Sequence, residues 1–198
     1  MEAINHAVFL SINAPEQADA FALALAMFFG EYLTWAIPAL VGLNWLRGSA
    51  RVRKAMLVAT ASTMLALLCN QIIGVIWPHP RPFVIGLGHT LISHAPDSSF
   101  PSDHLTLWWS VAFNLAIQNV QRGLGLVVAV VGLPMAWARI FLGVHYPLDM
   151  AGAATVALLS AWLTSRVAHW YLAPAYRLAM RIHRKLFGIL IDYGWVRG

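Results

Sequence analysis

The sequence predicts an all-α protein, a polytopic membrane helical bundle with five transmembrane spans, room for a sixth, and short interfacial helices. Of its 198 residues, 60% are hydrophobic and 11% are charged, whereas soluble domains are about 45–50% apolar and about 25% charged. Five apolar stretches approach or exceed the ~20 residues that a helix needs to cross a bilayer. This length and patterning favour one integral membrane domain over residues 1–198.

The elements follow in chain order from apolar runs and their boundary residues. Residues 1–19 hold a short apolar segment, Ala7 to Ile12, and predict an interfacial helix and turn. The predicted spans are Ala20–Trp45, Ala55–Trp77, a shorter His104–Val120, Gly123–Leu142 and Pro147–Trp170. Three of them end in tryptophan, which is typical of a membrane interface. Residues 175–193 place basic residues at helical spacing beside leucine and isoleucine, which predicts a helix on anionic lipid or, equally, a plain solvated face.

The basic residues assign the two faces of the bundle. With five spans, the first and third inter-span loops and the tail share one side, which the positive-inside rule makes cytoplasmic. These segments contain Arg47, Arg51, Arg53, Lys54, Arg122, Arg166, Arg177, Arg181, Arg184, Lys185 and Arg197. Only Arg81 and Arg139 lie on the other side, where they either snorkel to headgroups or bind an anion. Because the charges follow topology and form no single soluble face, they do not indicate a nucleic acid partner.

The stretch from Arg139 to Asp149 concentrates polar chemistry in an otherwise apolar chain. Pro147 suits the first residue of a helix. Asp149 then lies in the first turn of that helix, one turn beyond His145, so its carboxylate can reach the imidazole. A helix N-terminus suits a phosphate, and the planar guanidinium of Arg139 matches phosphate oxygens. The stretch therefore predicts a basic clamp, a nucleophile and an orienting acid at one anion-binding helix end.

The second inter-span loop faces the same side and carries a second set of polar residues. It contains Arg81 followed by proline, and then the run Phe-Pro-Ser-Asp-His that ends at His104. Ser102 or Asp103 is a candidate cap for the third span, and a capped helix start is also an anion site. His104 titrates near neutral pH. Two histidines, two arginines and a carboxylate on one membrane face favour catalysis over coincidence.

These residues resemble the type 2 phosphatidic acid phosphatase superfamily, whose signature is Lys-x6-Arg-Pro, Pro-Ser-Gly-His and Ser-Arg-x5-His-x3-Asp. The matching residues are Arg81 and Pro82, then Pro101, Ser102 and His104, then Arg139, His145 and Asp149. The chain has Gly74, Asp103 and Ala138 where the signature has lysine, glycine and serine. The short chain and the run Phe-Pro-Ser-Asp-His resemble the bacitracin-resistance-type undecaprenyl-diphosphate phosphatases in particular.

The resemblance implies a membrane enzyme that hydrolyses undecaprenyl diphosphate to undecaprenyl phosphate and inorganic phosphate, recycling the cell-wall lipid carrier. It makes His145 the nucleophile that forms a phosphohistidine, Asp149 its orienting acid, and His104 the general acid and base. The expected phosphate-binding residues are Arg81, Arg139, Ser102 and Asp103. No metal or other cofactor is expected, because arginines neutralise the charge. The expected location is the bacterial inner membrane, with the site facing the periplasm or cell exterior and with membrane lipids as partners.

Several roles stay open. Asp103 beside a diphosphate is protonated, paired with an arginine, or turned away. Glu31, in the middle of the first span, either makes a structural hydrogen bond or serves the substrate. His79 is a candidate replacement for the missing lysine, and His89 and His94 fit loop residues better than zinc ligands.

Two other functions fit the same residues. One is a phosphatase or phosphotransferase for another lipid phosphate, such as phosphatidic acid or phosphatidylglycerol phosphate. The other is a transport or lipid-binding membrane protein whose arginines hold headgroups. The sequence does not indicate an oligomeric state.

Overall fold

The computed structural model describes residues 2–198, and the regular elements in this range are helices. They are α1 (Glu2–Ile12), α2 (Ala20–Met27), α3 (Ala36–Arg47), α4 (Ala50–Ile76), α5 (Asp103–Ile117), α6 (Arg122–Phe141), α7 (Pro147–Arg166) and α8 (Ala168–Asp192). A π turn, Phe28–Tyr32, and a 3-10 turn, Leu33–Trp35, join α2 to α3, and another 3-10 turn, Pro82–Ile85, lies between α4 and α5. The predicted all-α fold is confirmed.

Four helical segments among residues 2–198 are long and apolar enough to cross a membrane, namely Ala20–Arg47, Ala50–Ile76, Arg122–Phe141 and Pro147–Arg166. The protein is therefore a multi-pass membrane protein. α5 has 15 residues and is about 22 Å long at ~1.5 Å per residue, shorter than a hydrocarbon core of about 30 Å. The α4–α5 and α6–α7 loops lie at the same end of the bundle, where Arg81 Nη1 donates to the Val144 carbonyl at 2.9 Å. α5 therefore carries the chain from this end to the opposite end, and α6 brings it back.

α5 is the central helix, packed against α4, α6 and α7. Its apolar side chains, which include Leu105, Trp108, Trp109 and Leu115, are buried. A buried indole needs an acceptor for its N–H, and both tryptophans find one on α6, at the Val128 and Ala129 carbonyls, at 2.6 and 3.0 Å. These bonds fix the rotation of α5, and with it the direction of the side chains in its first turn.

The end of the bundle that holds the first inter-span loop, which we call the basic end, lies opposite the two motif-bearing loops. α4 begins at Ala50 rather than at the predicted Ala55, so Arg53 is helical and buried. Its Nε donates to the Trp45 carbonyl at 2.8 Å, and its Nη groups donate to the last two carbonyls of the chain. The Trp45 indole donates to His183 of α8 at 3.2 Å. The predicted tail helix thus folds back on the bundle, and Arg53 helps to hold it there.

Candidate active site

The α6–α7 loop holds His145 against Asp149, as the spacing of the two residues predicts. The Asp149 carboxylate turns back from the first turn of α7 and accepts from the Tyr146 backbone N–H at 2.8 Å. The same oxygen lies 3.1 Å from His145 Nδ1, and both side chains are only 1% exposed. Because an ionised carboxylate can only accept, Nδ1 carries the proton and Nε2 keeps its lone pair.

Arg81 contacts the other side of the same imidazole. Its Nη1 lies 3.1 Å from His145 Nε2. A guanidinium can only donate, so this contact assigns the same tautomer as the Asp149 contact does. Burial lowers the pKa of His145 to about 4, opposed by its hydrogen bond to Asp149 and assisted by the charge of Arg139. His145 is therefore a neutral imidazole at neutral pH, with its unprotonated nitrogen facing an arginine.

Ser102 lies at the start of α5, beside the first turn of α7. Its backbone N–H donates to the Asp149 carbonyl at 3.4 Å. Its side chain makes no capping hydrogen bond, and its hydroxyl is buried with no partner among residues 2–198. His104 follows in the first turn of α5, within range of the charge of Arg139. The α5 N-terminus therefore brings an unpartnered hydroxyl and a second imidazole to the end of the bundle that holds His145.

Asp103 does not present its side chain to this site. One of its carboxylate oxygens accepts from Asn70 at 2.8 Å and the other from Gln71 at 3.3 Å, both on α4. Of the three alternatives that the sequence left open, the structure shows the carboxylate turned away. The expected phosphate contact through this side chain is not what the structure shows, because α4 amides already occupy both oxygens. Its backbone N–H, in the first turn of α5, remains a helix-end donor.

Arg139 lies in the last turn of α6 and its side chain is 0% exposed. Its Nη1 forms an ion pair with Glu31 and donates to the Gly30 carbonyl at 3.2 Å. Its Nε and Nη2 have no partner among residues 2–198. These two nitrogens form one edge of the guanidinium, and such an edge binds two oxygens of a carboxylate or phosphate at once. The structure thus leaves the two-pronged edge of a buried arginine available to an anion.

The α4–α5 loop contributes three residues that the sequence did not single out as part of the site. Ser99 donates its hydroxyl to Asp149 and lies 3.5 Å from His145 Nδ1. Asp97 accepts from Arg81 Nε at 2.8 Å, and the ring centre of His94 lies 6.3 Å from that of His145. Partial burial acts to raise the pKa of Asp97, but the hydrogen bond and charge of Arg81 hold it below its usual value. No motif marks these residues, and their one signal is their place just before the run that ends at His104.

The position of the missing lysine faces the same loop. A Cβ on Gly74 would lie 3.3 Å from the Cβ of Ser98, and Ser98 accepts from the His79 backbone N–H at 3.2 Å. The His79 ring packs edge-on against Tyr146, with 5.9 Å between ring centres. His79 therefore touches Tyr146, the neighbour of His145, and its substitution for the lysine stays a prediction.

The arrangement suits an anion that accepts several hydrogen bonds. Two guanidinium groups, a buried hydroxyl and a helix N-terminus surround a neutral imidazole and its orienting carboxylate. Among residues 2–198 there is no group of three or more His, Cys, Asp or Glu side chains that could hold a metal ion. Chemically, the residues can bind a phosphate, attack its phosphorus and move a proton.

The comparisons with known proteins agree with this chemistry. The PAP2 superfamily model matches residues 55–172. The undecaprenyl-diphosphatase BcrC of Bacillus subtilis (strain 168) is 32% identical over 94% of this chain and 95% of its own length. The YbjG protein of Escherichia coli (strain K12) is 31% identical over 100% of this chain and 99% of its own. The crystal structure of Aquifex aeolicus LpxE has the same fold, with a TM-score of 0.61 and 19% identity over 82% of this chain and 95% of that one. The chain therefore belongs to the PAP2 superfamily and is a membrane-embedded lipid phosphate phosphatase.

Proposed function

We propose that this protein hydrolyses undecaprenyl diphosphate to undecaprenyl phosphate and inorganic phosphate, through a phosphohistidine on His145. The observation that carries the proposal is a set of buried donors without partners among residues 2–198, the Nε and Nη2 of Arg139 and the hydroxyl of Ser102. A buried polar group without a partner costs about 1–3 kcal/mol. A site that keeps three of them suits a ligand with several acceptor oxygens, and a terminal phosphate is such a ligand.

His145 supplies the nucleophile in this scheme. Its Nε2 lone pair attacks the terminal phosphorus while the bond from phosphorus to the bridging oxygen breaks. Asp149 stabilises the positive charge that develops on the ring and keeps the proton on Nδ1. Arg81, which contacts Nε2 at 3.1 Å, lies where the phosphoryl oxygens arrive, and fixed cations there stabilise the charge of the transition state.

His104 moves the protons. It protonates the departing oxygen of undecaprenyl phosphate, then takes a proton from the water that attacks the phosphohistidine. That second attack breaks the bond between phosphorus and Nε2, releases inorganic phosphate and restores neutral His145. The place of His104 in the first turn of α5, two residues after the unpartnered hydroxyl of Ser102, supports this role. The two arginines neutralise the phosphate, so the scheme uses no metal ion.

Two further observations support the substrate and the outward orientation. The full-length similarity to the Bacillus subtilis undecaprenyl-diphosphatase favours a polyprenyl diphosphate. The exposed cations Arg47, Arg51 and Lys54 lie at the basic end, opposite the site, and the positive-inside rule places such an end in the cytoplasm. The site then opens at the outer face of the bacterial inner membrane, where the carrier can be recycled.

A substrate comparison tests the function. Purified protein in detergent is given undecaprenyl diphosphate or phosphatidic acid at equal concentration, and released inorganic phosphate is measured, with His145→Ala as the control. We expect at least tenfold higher kcat/KM on the diphosphate and only background release from the variant. Equal or faster release from phosphatidic acid would refute the substrate assignment, and no release from either would refute the phosphatase activity.

Cysteine labelling in intact cells tests the orientation. In a Cys69→Ser background, Thr90→Cys places an exposed thiol in the α4–α5 loop and Gly123→Cys places one at the opposite end. A membrane-impermeant maleimide should label position 90 without lysis and position 123 only after lysis. The reverse pattern would put the site in the cytoplasm.

A further inference from the structure

Glu31 lies where the helix of the first span departs from α-helical geometry. The segment Phe28–Tyr32 forms a π turn between α2 and α3. Such turns frequently occur at functional sites. Here the turn directs two acceptors, the Gly30 carbonyl and the Glu31 carboxylate, at one nitrogen of Arg139. The irregularity in the first span therefore has a specific partner in the site.

Gly30 allows the first span to come this close to α6. A Cβ at position 30 would lie 2.8 Å from Leu142 Cδ1 and 3.4 Å from Ala138 Cβ. A contact below about 3 Å requires an atom to move, and here that atom is the end of the buried Leu142 side chain. Gly30 therefore allows the first span and α6 to pack closely beside the Glu31–Arg139 contact without moving Leu142.

The contact determines which edge of Arg139 is available. Both acceptors bind Nη1, so the Nε–Nη2 edge has no partner among residues 2–198. That edge carries two parallel N–H groups, the geometry that binds two phosphate oxygens. Glu31 is also the one carboxylate within ion-pair distance of Arg139 in residues 2–198. A buried charge without a partner is strongly unfavourable, so Glu31 both neutralises Arg139 and sets its rotation.

We infer that Glu31 is a positioning residue for phosphate binding, acting through Arg139. It holds Nη1 so that the Nε–Nη2 edge meets the phosphate of the substrate. Glu31 lies outside the part of the chain that the family model matches, residues 55–172. The first span therefore adds to the site a residue that the shared motifs do not include. The inference rests on the proposed phosphatase function.

A double-mutant cycle tests the inference. Glu31→Gln and Glu31→Ala are each measured with wild-type Arg139 and with Arg139→Ala, using phosphate release from undecaprenyl diphosphate. Because Glu31→Ala removes the charged partner that orients Arg139, it should lower kcat/KM about tenfold to a hundredfold. Glu31→Gln keeps an acceptor oxygen and should lose less. In the Arg139→Ala background both changes should cost less than about twofold, because non-additivity of this kind identifies residues that act together.

Inhibition by orthovanadate separates positioning from a purely structural role. Vanadate adopts the five-coordinate shape of the transferring phosphorus, so its inhibition constant should rise by about the same factor as kcat/KM falls. Glu16→Gln, an exposed acid before the first span, makes the same charge change and should alter neither quantity.

The outcomes are distinct. If the unmodified protein releases phosphate but the Glu31 substitutions lower kcat/KM by the same factor with Arg139 as with Arg139→Ala, this inference is wrong and the proposed function stands. No release by the unmodified protein would instead refute the proposed function. If Glu31→Ala does not fold, the isosteric Gln variant decides. Loss of folding in that variant as well, measured by thermal unfolding in detergent, would assign Glu31 a structural role and overturn the inference.

Discussion

Asp149→Asn removes the charge beside His145 at nearly constant size, and the structure predicts which way the new amide points. One carboxylate oxygen accepts from three donors, His145 Nδ1 at 3.1 Å, the Tyr146 backbone N–H at 2.8 Å and the Ser99 hydroxyl. An amide NH₂ in that place would face three donors and lose three hydrogen bonds of about 1 kcal/mol each. The amide oxygen therefore takes the place, and the proton stays on Nδ1.

The expected cost follows from that orientation. His145 would keep its reactive tautomer but lose a charged acceptor, and a charged hydrogen bond of about 1.5–3 kcal/mol would become a neutral one of about 0.5–1.5 kcal/mol. The difference of about 1–2 kcal/mol corresponds to a fall in kcat of about 5- to 30-fold. A reversed tautomer costs far more, about 10⁴-fold in the catalytic triad of a serine protease.

The assay is kcat for phosphate release at saturating undecaprenyl diphosphate, measured for Asp149→Asn with and without Ser99→Ala. Removing the Ser99 hydroxyl leaves two donors, worth about 2 kcal/mol, that still select the same amide rotamer, so the double variant should lose about the product of the two single losses. A single Asp149→Asn variant with an unchanged rate would refute the orienting role of the carboxylate. A loss near 10⁴-fold would refute the argument from three converging donors.

Four further predictions address the site and its loops. His145→Ala should abolish turnover while the unfolding temperature and membrane insertion stay near those of the unmodified protein, and near-normal turnover would exclude the covalent route. Because burial lowers the pKa of His145 to about 4, Nε2 stays unprotonated as the pH falls through 6.5. The loss of kcat/KM that comes from protonating His145 should therefore be centred near pH 4, and an NMR titration of the His145 ring centred near 6.5 would contradict the buried neutral ring. Excess EDTA should leave phosphate release unchanged, whereas a loss restored by a divalent cation would show that a metal takes part. Gly143 has φ +81°, and an added Cβ would meet the His89 carbonyl. Gly143→Ala should therefore lower the unfolding temperature and slow turnover by displacing the loop that carries His145, and unchanged values would contradict the strain argument.

The contacts that the sequence predicts well are local ones. His145 and Asp149 are one helical turn apart, and Pro147 begins the helix between them. Their geometry therefore depends on a few consecutive residues, and the observed contact at 3.1 Å follows the expectation. The all-helical membrane bundle and its site-bearing loops are predictable for a similar reason, because apolar runs of spanning length and the distribution of basic residues are properties of the sequence itself.

Contacts between distant parts of the chain could not be predicted in the same way. The sequence left Glu31 between two roles and Asp103 among three, and it did not include Ser99 in the site. Each question depends on a partner far along the chain, Arg139 for Glu31, Asn70 for Asp103 and Asp149 for Ser99. The relative rotation of two packed helices cannot be derived from a sequence pattern. The pattern therefore does not predict which distant residues form these contacts.

By itself, the sequence determined that this protein is a helical membrane phosphatase of recognisable family, and which residues carry its motifs. The tertiary structure decided which edge of Arg139 is available and that the Asp103 carboxylate points to α4. The physical reason is that both depend on how helices dock. The tryptophans of α5 that bond to α6 carbonyls fix the rotation of the central helix, and Gly30 leaves room for the Leu142 side chain where the first span packs against α6.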